Sequence, residues 1–212
     1  MNLILAGATG LVGGIFLTEA ESSGHEVVTV GRRSLDRGRL EVITDFTTTL
    51  ELGPADAAIC TLGTTIGAAG SRAAFYEVDH DAVLSFANAA YKSGVRHFLM
   101  VTAVGADASS HVFYSRVKGE TERDIIEVGF SRVDIAQPGL LLGARTENRP
   151  VEKLLQAMDT ITRLGMLGPF DRYAGIKAKT VAQALLQLCD TSEDGVFRHG
   201  NRELTALARR CV

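Results

Sequence analysis

A chain of 212 residues that is 46% hydrophobic and 22% charged has the size and composition of one folded domain, which excludes a disordered or fibrous polymer. Its 22 Lys and Arg against 25 Asp and Glu give a net charge of −3 with no basic block, so there is no electrostatic case for nucleic-acid binding. The cysteines Cys60, Cys189 and Cys211 are widely spaced without a C-x-x-C pair, so neither a disulfide framework nor a zinc site follows.

The chain opens with an apolar strand, Asn2–Ala6, that runs directly into Gly7-Ala-Thr-Gly-Leu-Val-Gly13. A helical pattern then extends from about Leu11 to Ser23 and stops at Gly24, a suitable C-cap. In this G-x-x-G-x-x-G spacing Gly7 permits the sharp turn out of the strand. Gly10 lets backbone approach a pyrophosphate with no Cβ in the way, and Gly13 lets the helix lie close to the sheet. Free amides of the first helical turn and the positive end of the helix dipole then face the phosphates. A glycine turn that merely reverses the chain is the bland alternative, and the position directly after a strand disfavours it.

A second strand, Glu26–Val30, ends at Gly31-Arg32-Arg33 and completes a β-α-β unit. A site for NAD would place Asp or Glu there to bind the ribose hydroxyls. Arg32 and Arg33 instead offer charge-assisted bonds to a 2′-phosphate, so the spacing favours NADP(H) over a pair of merely solvated arginines. Strand three is read at about Leu40–Thr44, leading into Asp45 and Phe46, and strand four at Asp56–Cys60, with Gly53 and Pro54 between them.

From Ser71 to Lys92 apolar residues recur at spacings of three and four, which predicts one long helix closed by Gly94. Strand five, Arg96–Thr102, runs into Ala103–Asp107, a helix spans about Val112 to Val128, and strand six, Arg132–Ala136, ends in Gln137-Pro138-Gly139. After Pro150 the pattern weakens to helices at 151–164, 178–188 and 202–209 and a short strand at 195–198. The alternation predicts an α/β fold: a doubly wound parallel sheet in a three-layer αβα Rossmann arrangement, with residues 1–212 as a single domain. A small C-terminal extension, residues 140–178, is expected to wall a substrate crevice.

On the helix after strand five, Tyr114 and Lys118 stand four residues apart and therefore share one face. A phenol with an ordinary pKa near ~10 relays protons poorly at neutral pH, and a fixed ammonium nearby favours the phenolate. Tyr114 is thus a candidate acid/base and Lys118 its partner, also placed to hydrogen-bond a nicotinamide ribose. Among the other polar residues His80, His97 and His111 lack ligand spacing and read as surface or capping histidines. Asp79, on the long helix facing strand five, could meet the active-site crevice, but a solvated acid is the simpler reading, and Cys60 reads as a small buried hydrophobe.

The glycine turn, the arginine pair and Tyr114-x-x-x-Lys118 together resemble an atypical member of the short-chain dehydrogenase/reductase family. More narrowly, Cys60-Thr-Leu-Gly-Thr-Thr65, Val104-Gly-Ala-Asp107, Tyr114-Ser-Arg-Val-Lys-Gly-Glu120 and Pro138-Gly-Leu-Leu141 are similar to the oxidoreductases related to the human Tat-interacting protein, over the stretch from the first strand to about Pro150. The resemblance implies that Gly7, Thr9, Gly10, Leu11, Val12 and Gly13 line the pyrophosphate and that Arg32 and Arg33 meet the 2′-phosphate. It places Asp45 and Phe46 by the adenine and Cys60, Leu62 and Gly63 along the ribose and phosphates. Pro138, Gly139 and Leu140 come near the nicotinamide, with Tyr114 and Lys118 as the catalytic pair. The family often carries two successive hydroxyl residues after strand five, the second holding the substrate oxygen. Here those two positions hold Thr102 and Ala103, so either Thr102 supplies that hydroxyl or the site lacks it.

The expected function is an NADP(H)-dependent oxidoreductase of a small carbonyl or alcohol substrate. A catalytically weak NADPH-binding sensor acting through a protein partner is the alternative, and a nucleotide-sugar epimerase is a less favoured third. A protein partner or homo-oligomer is compatible with the sequence, and no segment approaches a membrane span. The first apolar run is preceded by no Lys or Arg and ends in the glycine turn, so it is not read as a signal peptide, and the expected location is the cytoplasm.

Overall fold

Strands β1 (Asn2–Ala6), β2 (Glu26–Gly31), β3 (Glu41–Ile43), β4 (Ala57–Cys60), β5 (His97–Val101), β6 (Arg132–Ala136) and β9 (Gly195–His199) run parallel in one sheet, in the order β3-β2-β1-β4-β5-β6-β9. This is a computed structural model, and it describes residues 1–35, 40–143 and 171–211. A second, two-stranded parallel sheet pairs β7 (Leu141–Leu142) with β8 (Ile176–Lys177). The chain builds outward from β1 to β3 and then crosses back to begin β4 on the other side of β1. That reversal opens a crevice beyond the carboxyl ends of β1 and β4, where ligands of doubly wound sheets sit.

Both faces of the central strands are covered, which is why they read as continuous apolar runs rather than alternating ones. Leu3, Leu5, Ile59 and Leu99 face α1 (Leu11–Ser22) and a C-terminal helix, Ala178–Cys189, with Phe16, Leu17, Val181 and Leu185 filling that layer. Ile4, Ala58, Phe98, Met100 and Ile135 face the opposite layer, where Phe86, Ala90 and Ile125 close the core.

The long helix expected over 71–92 forms as three pieces: Arg72–Tyr76, a π-helical stretch Glu77–Asp81, and Ala82–Lys92. A short helix, Ile66–Ala69, precedes them. Numbered in chain order, the helices Ile66–Ala69, Arg72–Tyr76 and Ala82–Lys92 are α2, α3 and α4. Helix α5 is Phe113–Glu127, α6 is Ala178–Cys189 and α7 is Asn201–Ala208. A π turn carries an i→i+5 hydrogen bond and shifts the helix face, and here Asp79 and His80 are buried within it. The apolar spacing on either side does not reveal such a break. The helix expected over 151–164 lies outside the described residues.

One cluster of charge is built into the sheet itself. Fully buried Asp134 of β6 accepts from Arg132 Nε at 2.6 Å and Nη2 at 3.0 Å, and its oxygens lie 2.7 Å from Nε2 of His97 in β5 and 2.7 Å from Nε2 of His199 in β9. Register explains the convergence: His97 stands beside Arg132, and His199 beside Ala136, on the same face of neighbouring strands. His97 is therefore a buried link between strands, not the surface or capping residue expected. Burial works against the charge of Asp134, but the hydrogen bonds from His199, His97 and Arg132 outweigh it and hold the carboxyl well below the usual range.

Candidate active site

Gly7 leaves β1 at φ +90°, and a Cβ built there would lie 2.6 Å from Thr61 Oγ1, so both the turn and the contact with the β4 loop require glycine. A Cβ on Gly13 would collide with the Gly7 carbonyl and with Thr61 Oγ1, which is the close helix-to-sheet approach expected of the third glycine. Gly10 donates to the Gly7 carbonyl at 2.9 Å and forms the N-cap of α1 without any side-chain cap. The first amides of α1 thus meet no capping side chain, as an anion-binding helix end requires. Thr9 is exposed beside them, Val12 is buried in the core, and the Leu11 side chain lies against Gly143, so Leu11 and Val12 have only backbone to offer a pyrophosphate.

Arg32 and Arg33 are exposed at the end of β2. The turn that follows is tied to β3 by Glu41, which accepts from Ser34 Oγ at 2.5 Å and from the Leu35 amide at 2.9 Å. Asp45 is exposed and accepts from the Thr47 amide and hydroxyl at 2.9 and 2.8 Å. Phe46 has φ +67°, the left-handed region that costs a non-glycine residue energy, and its ring is buried in the core below β2. Cys60 is likewise a core side chain, and burial pushes its thiol up to about 12, so its part along a ribose is limited to backbone.

The loop after β4 joins the glycine turn to α5. Gly7 packs on Thr61 and Leu62, and two residues further on a Cβ at Gly63 would lie 3.4 Å from Asp79 Oδ1 and 3.6 Å from Lys118 Nζ. Lys118 is buried, and its ammonium stands 2.7 Å from Asp79 Oδ1, which has no other polar partner among the described residues, while Asp79 Oδ2 accepts from the Thr64 amide at 2.8 Å. Asp79 is 1% exposed, which overturns the solvated acid expected of it. The Thr121 hydroxyl, one turn beyond Lys118, reaches the Asp79 carbonyl at 2.9 Å and fixes the π segment against α5. Burial works against the Lys118 charge, but Asp79 and the neighbouring Tyr114 outweigh it and hold the ammonium above the ordinary lysine value. Tyr114 is half-buried one turn earlier, its ring 5.6 Å from that of Phe75.

His80 also departs from the surface role expected of it. Its ring is buried beside Tyr76 at 4.5 Å, with Nδ1 2.8 Å from Asp81 and Nε2 2.8 Å from Asp124, and so pins the π segment to α5. His111 is exposed. Sequence spacing gave no warning of the Asp79 and His80 contacts, because both depend on the π turn.

At the end of β5, Thr102 donates its proton to Glu122 Oε1 at 2.7 Å. Buried Glu122 also accepts from Gln137 Nε2 at 2.8 Å and Arg198 Nε at 3.0 Å. The Thr102 hydroxyl is therefore committed to α5, and Ala103 follows with none. The loops after β5 and β6 are joined where the Val104 amide donates to the Pro138 carbonyl at 3.0 Å. Gly139 donates to Asn201 Oδ1 at 2.9 Å, Asn201 Nδ2 donates to the Ala174 carbonyl at 2.9 Å, and the Ile176 amide donates to the Leu140 carbonyl at 2.8 Å. Residues 139–142 and 174–177 thereby form a second rim above the sheet, beside the glycine turn that Leu11 and Gly143 bring close. Of the expected wall at 140–178, the stretch 144–170 lies outside the described residues.

No family model matches the chain. It is 36% identical over 166 residues to the mitochondrial protein fmp52 of Emericella nidulans, covering 71% of each chain, and 37% identical over 166 residues to the protein HTATIP2 of Rattus norvegicus, covering 72% of this chain and 68% of that one. Among solved structures, the human epimerase family protein SDR39U1 with NADPH superposes with a TM-score of 0.67 at 20% identity, over 98% of this chain and 80% of the other. The fungal relatives are named mitochondrial, which overturns the cytoplasmic location expected from the sequence. Composition and charge do not separate a mitochondrial protein from a cytoplasmic one, and the argument against a signal peptide bore only on secretion. Among the described residues no helix is long and apolar enough to cross a membrane.

Proposed function

The chain belongs to the family of Fmp52 and HTATIP2, atypical short-chain dehydrogenases/reductases with a Rossmann fold, and from that premise we propose that it is an NADP(H)-dependent oxidoreductase of a small carbonyl or alcohol. One observation carries the reading: the loop 61–63 touches the glycine turn at one end and the buried Lys118 ammonium at the other, so one short loop links the residues assigned here to phosphate binding with those assigned to proton transfer. The uncapped end of α1 and the glycine turn fit a pyrophosphate, and the exposed Arg32 and Arg33 fit an added 2′-phosphate. When bound, the nicotinamide supplies or accepts hydride. Tyr114 gives its hydroxyl proton to the carbonyl oxygen as hydride reaches carbon, and takes it back in the opposite direction. Lys118, held by Asp79, keeps a positive charge beside the phenol and would be the group to hydrogen-bond the nicotinamide ribose. Thr102 has no part in this scheme, because Glu122 holds its proton.

The test is a titration with NADPH and NADH followed by turnover of an aldehyde and ketone panel, wild type against Tyr114→Phe. Saturable binding with NADPH the tighter, and loss of turnover in Tyr114→Phe with cofactor binding intact, is the expected result. Tighter binding of NADH refutes the arginine assignment, and equal rates remove Tyr114 from the chemistry. NADPH binding without turnover of any substrate would instead favour a sensor, the reading to which the missing strand-five hydroxyl lends weight.

A further inference from the structure

We propose that Tyr173 supplies the substrate-oxygen hydrogen bond that the end of β5 no longer provides. The inference rests on the oxidoreductase reading above and adds a residue to its site. Tyr173 lies at the end of a short 3-10 turn, Asp171–Tyr173, far from β5 in sequence. Its hydroxyl nevertheless comes down on the β5 loop: a Cβ built on Gly105 would lie 3.6 Å from the Tyr173 oxygen and 3.9 Å from Cε1. Gly105 sits at φ +79° in the turn that the Ala106 amide closes onto the Ala103 carbonyl at 3.2 Å, the stretch that lacks its hydroxyl.

The tyrosine is also anchored as a positioning group must be. Gly139 packs so tightly on the backbone of 172–174 that a Cβ there would lie 2.9 Å from the Tyr173 carbonyl carbon. Asn201 clamps the two segments together by accepting from Gly139 and donating to Ala174, both at 2.9 Å. The Arg172 guanidinium covers the ring at 4.9 Å from its centroid. The side chain is half-buried, and its hydroxyl makes no hydrogen bond among the described residues. A donor whose backbone is tied to Gly139 and Asn201, and which has no partner among the described residues, is suited to an oxygen brought in by a substrate. It spans the loops after β5 and β6, the place above the sheet where a carbonyl would lie beside Pro138–Leu140. A phenol reaching in from the second rim thus stands where a short strand-end hydroxyl is absent.

The experiment uses the full chain with NADPH and 4-nitrobenzaldehyde as the probe, and compares wild type, Tyr173→Phe, and Tyr173→Phe combined with Ala103→Ser. Loss of one preorganised donor is expected to lower kcat/KM by ~10²-fold in Tyr173→Phe. NADPH affinity and melting temperature stay at their wild-type values, and the serine at 103 restores most of the lost rate. Unchanged kinetics in Tyr173→Phe overturns the proposal, as does a parallel loss of NADPH binding, which would make the tyrosine a structural residue. Should the wild type bind NADPH yet reduce nothing, the oxidoreductase reading falls by itself. Calorimetric binding of 4-nitrobenzyl alcohol to the NADP⁺ complex then decides this inference: weaker binding to Tyr173→Phe upholds it, and equal binding or none at all refutes it.

Discussion

Asp79→Asn removes the counter-charge of a buried ammonium while keeping the size of the side chain. The Lys118 and Asp79 side chains are 7% and 0% exposed and 2.7 Å apart, so water cannot replace the lost partner. An asparagine oxygen still accepts from the Thr64 amide, which turns its NH₂ toward the Lys118 donors. Breaking one half of a buried pair costs about 3–5 kcal/mol, because a charge is left without compensation. In a chain of this length each kcal/mol moves the melting temperature by roughly 2–4 °C, so the variant should melt at least ~6 °C below wild type. The folded value of Lys118 is raised, so its contribution is complete below the ordinary lysine value of ~10.4 and is lost as pH rises through the folded one. In the variant burial, no longer opposed by Asp79, lowers the folded value, so its stability climbs with pH as the unpaired ammonium loses its proton. The gap between the proteins should therefore be widest near neutrality and narrow toward pH ~10. Urea unfolding at pH 7 and at higher pH measures it. A variant within ~1 kcal/mol of wild type at pH 7, or a gap that widens with pH, would refute the argument.

Asp134→Asn should destabilise by about 3 kcal/mol or more at pH 7, since Arg132, His97 and His199 lose the shared negative charge and one of its two acceptor oxygens. Because the folded carboxyl is depressed, that contribution is present above the unfolded value of ~3.9 and lost as pH falls through the folded one, so denaturation curves of the two proteins should converge in acid and not in base. Gly13→Ala should impair folding and cofactor uptake together, because its Cβ meets the Gly7 carbonyl and Thr61; a variant with wild-type melting and NADPH affinity would refute the close approach. Replacing Arg32 and Arg33 by alanine should weaken NADPH binding by roughly ten- to a hundredfold with little effect on NADH, as fluorescence titration would show.

The parts of this molecule that were legible in its sequence are those fixed by short-range pattern. The strand–glycine–helix start, the strand boundaries within a residue or two, and the place of Tyr114 and Lys118 on one helix all follow from spacing between neighbours in the chain. What escaped depends on contacts between distant elements. The apolar residues on both sides of 77–81 keep helical spacing, so nothing announced the π turn that carries Asp79 to Lys118 and His80 to Asp124. His97, Asp134 and His199 looked isolated because sheet register, not sequence separation, joins them. Thr102 is the converse case: its position at a strand end left open a part in the chemistry, and only the position of Glu122 on the facing helix shows that the hydroxyl donates its hydrogen bond there.

Tyr114, Lys118 and Glu122 stand four residues apart along α5, a polar stripe on the side of the helix that faces the protein interior. Such a stripe is costly to bury unless each group finds a partner. The partners come from other elements: Asp79 from the π turn for Lys118, and Thr102, Gln137 and Arg198 from the ends of β5, β6 and β9 for Glu122. The pairs that dock α5 therefore also hold the turn that carries Tyr114, and under the proposed function stability and chemistry are coupled at two of the three positions. Loss of Asp79 or of the Glu122 charge should lower melting temperature and turnover together. Removal of the Tyr114 hydroxyl, which bonds to neither pair, should lower turnover alone, and that split separates docking α5 from transferring a proton.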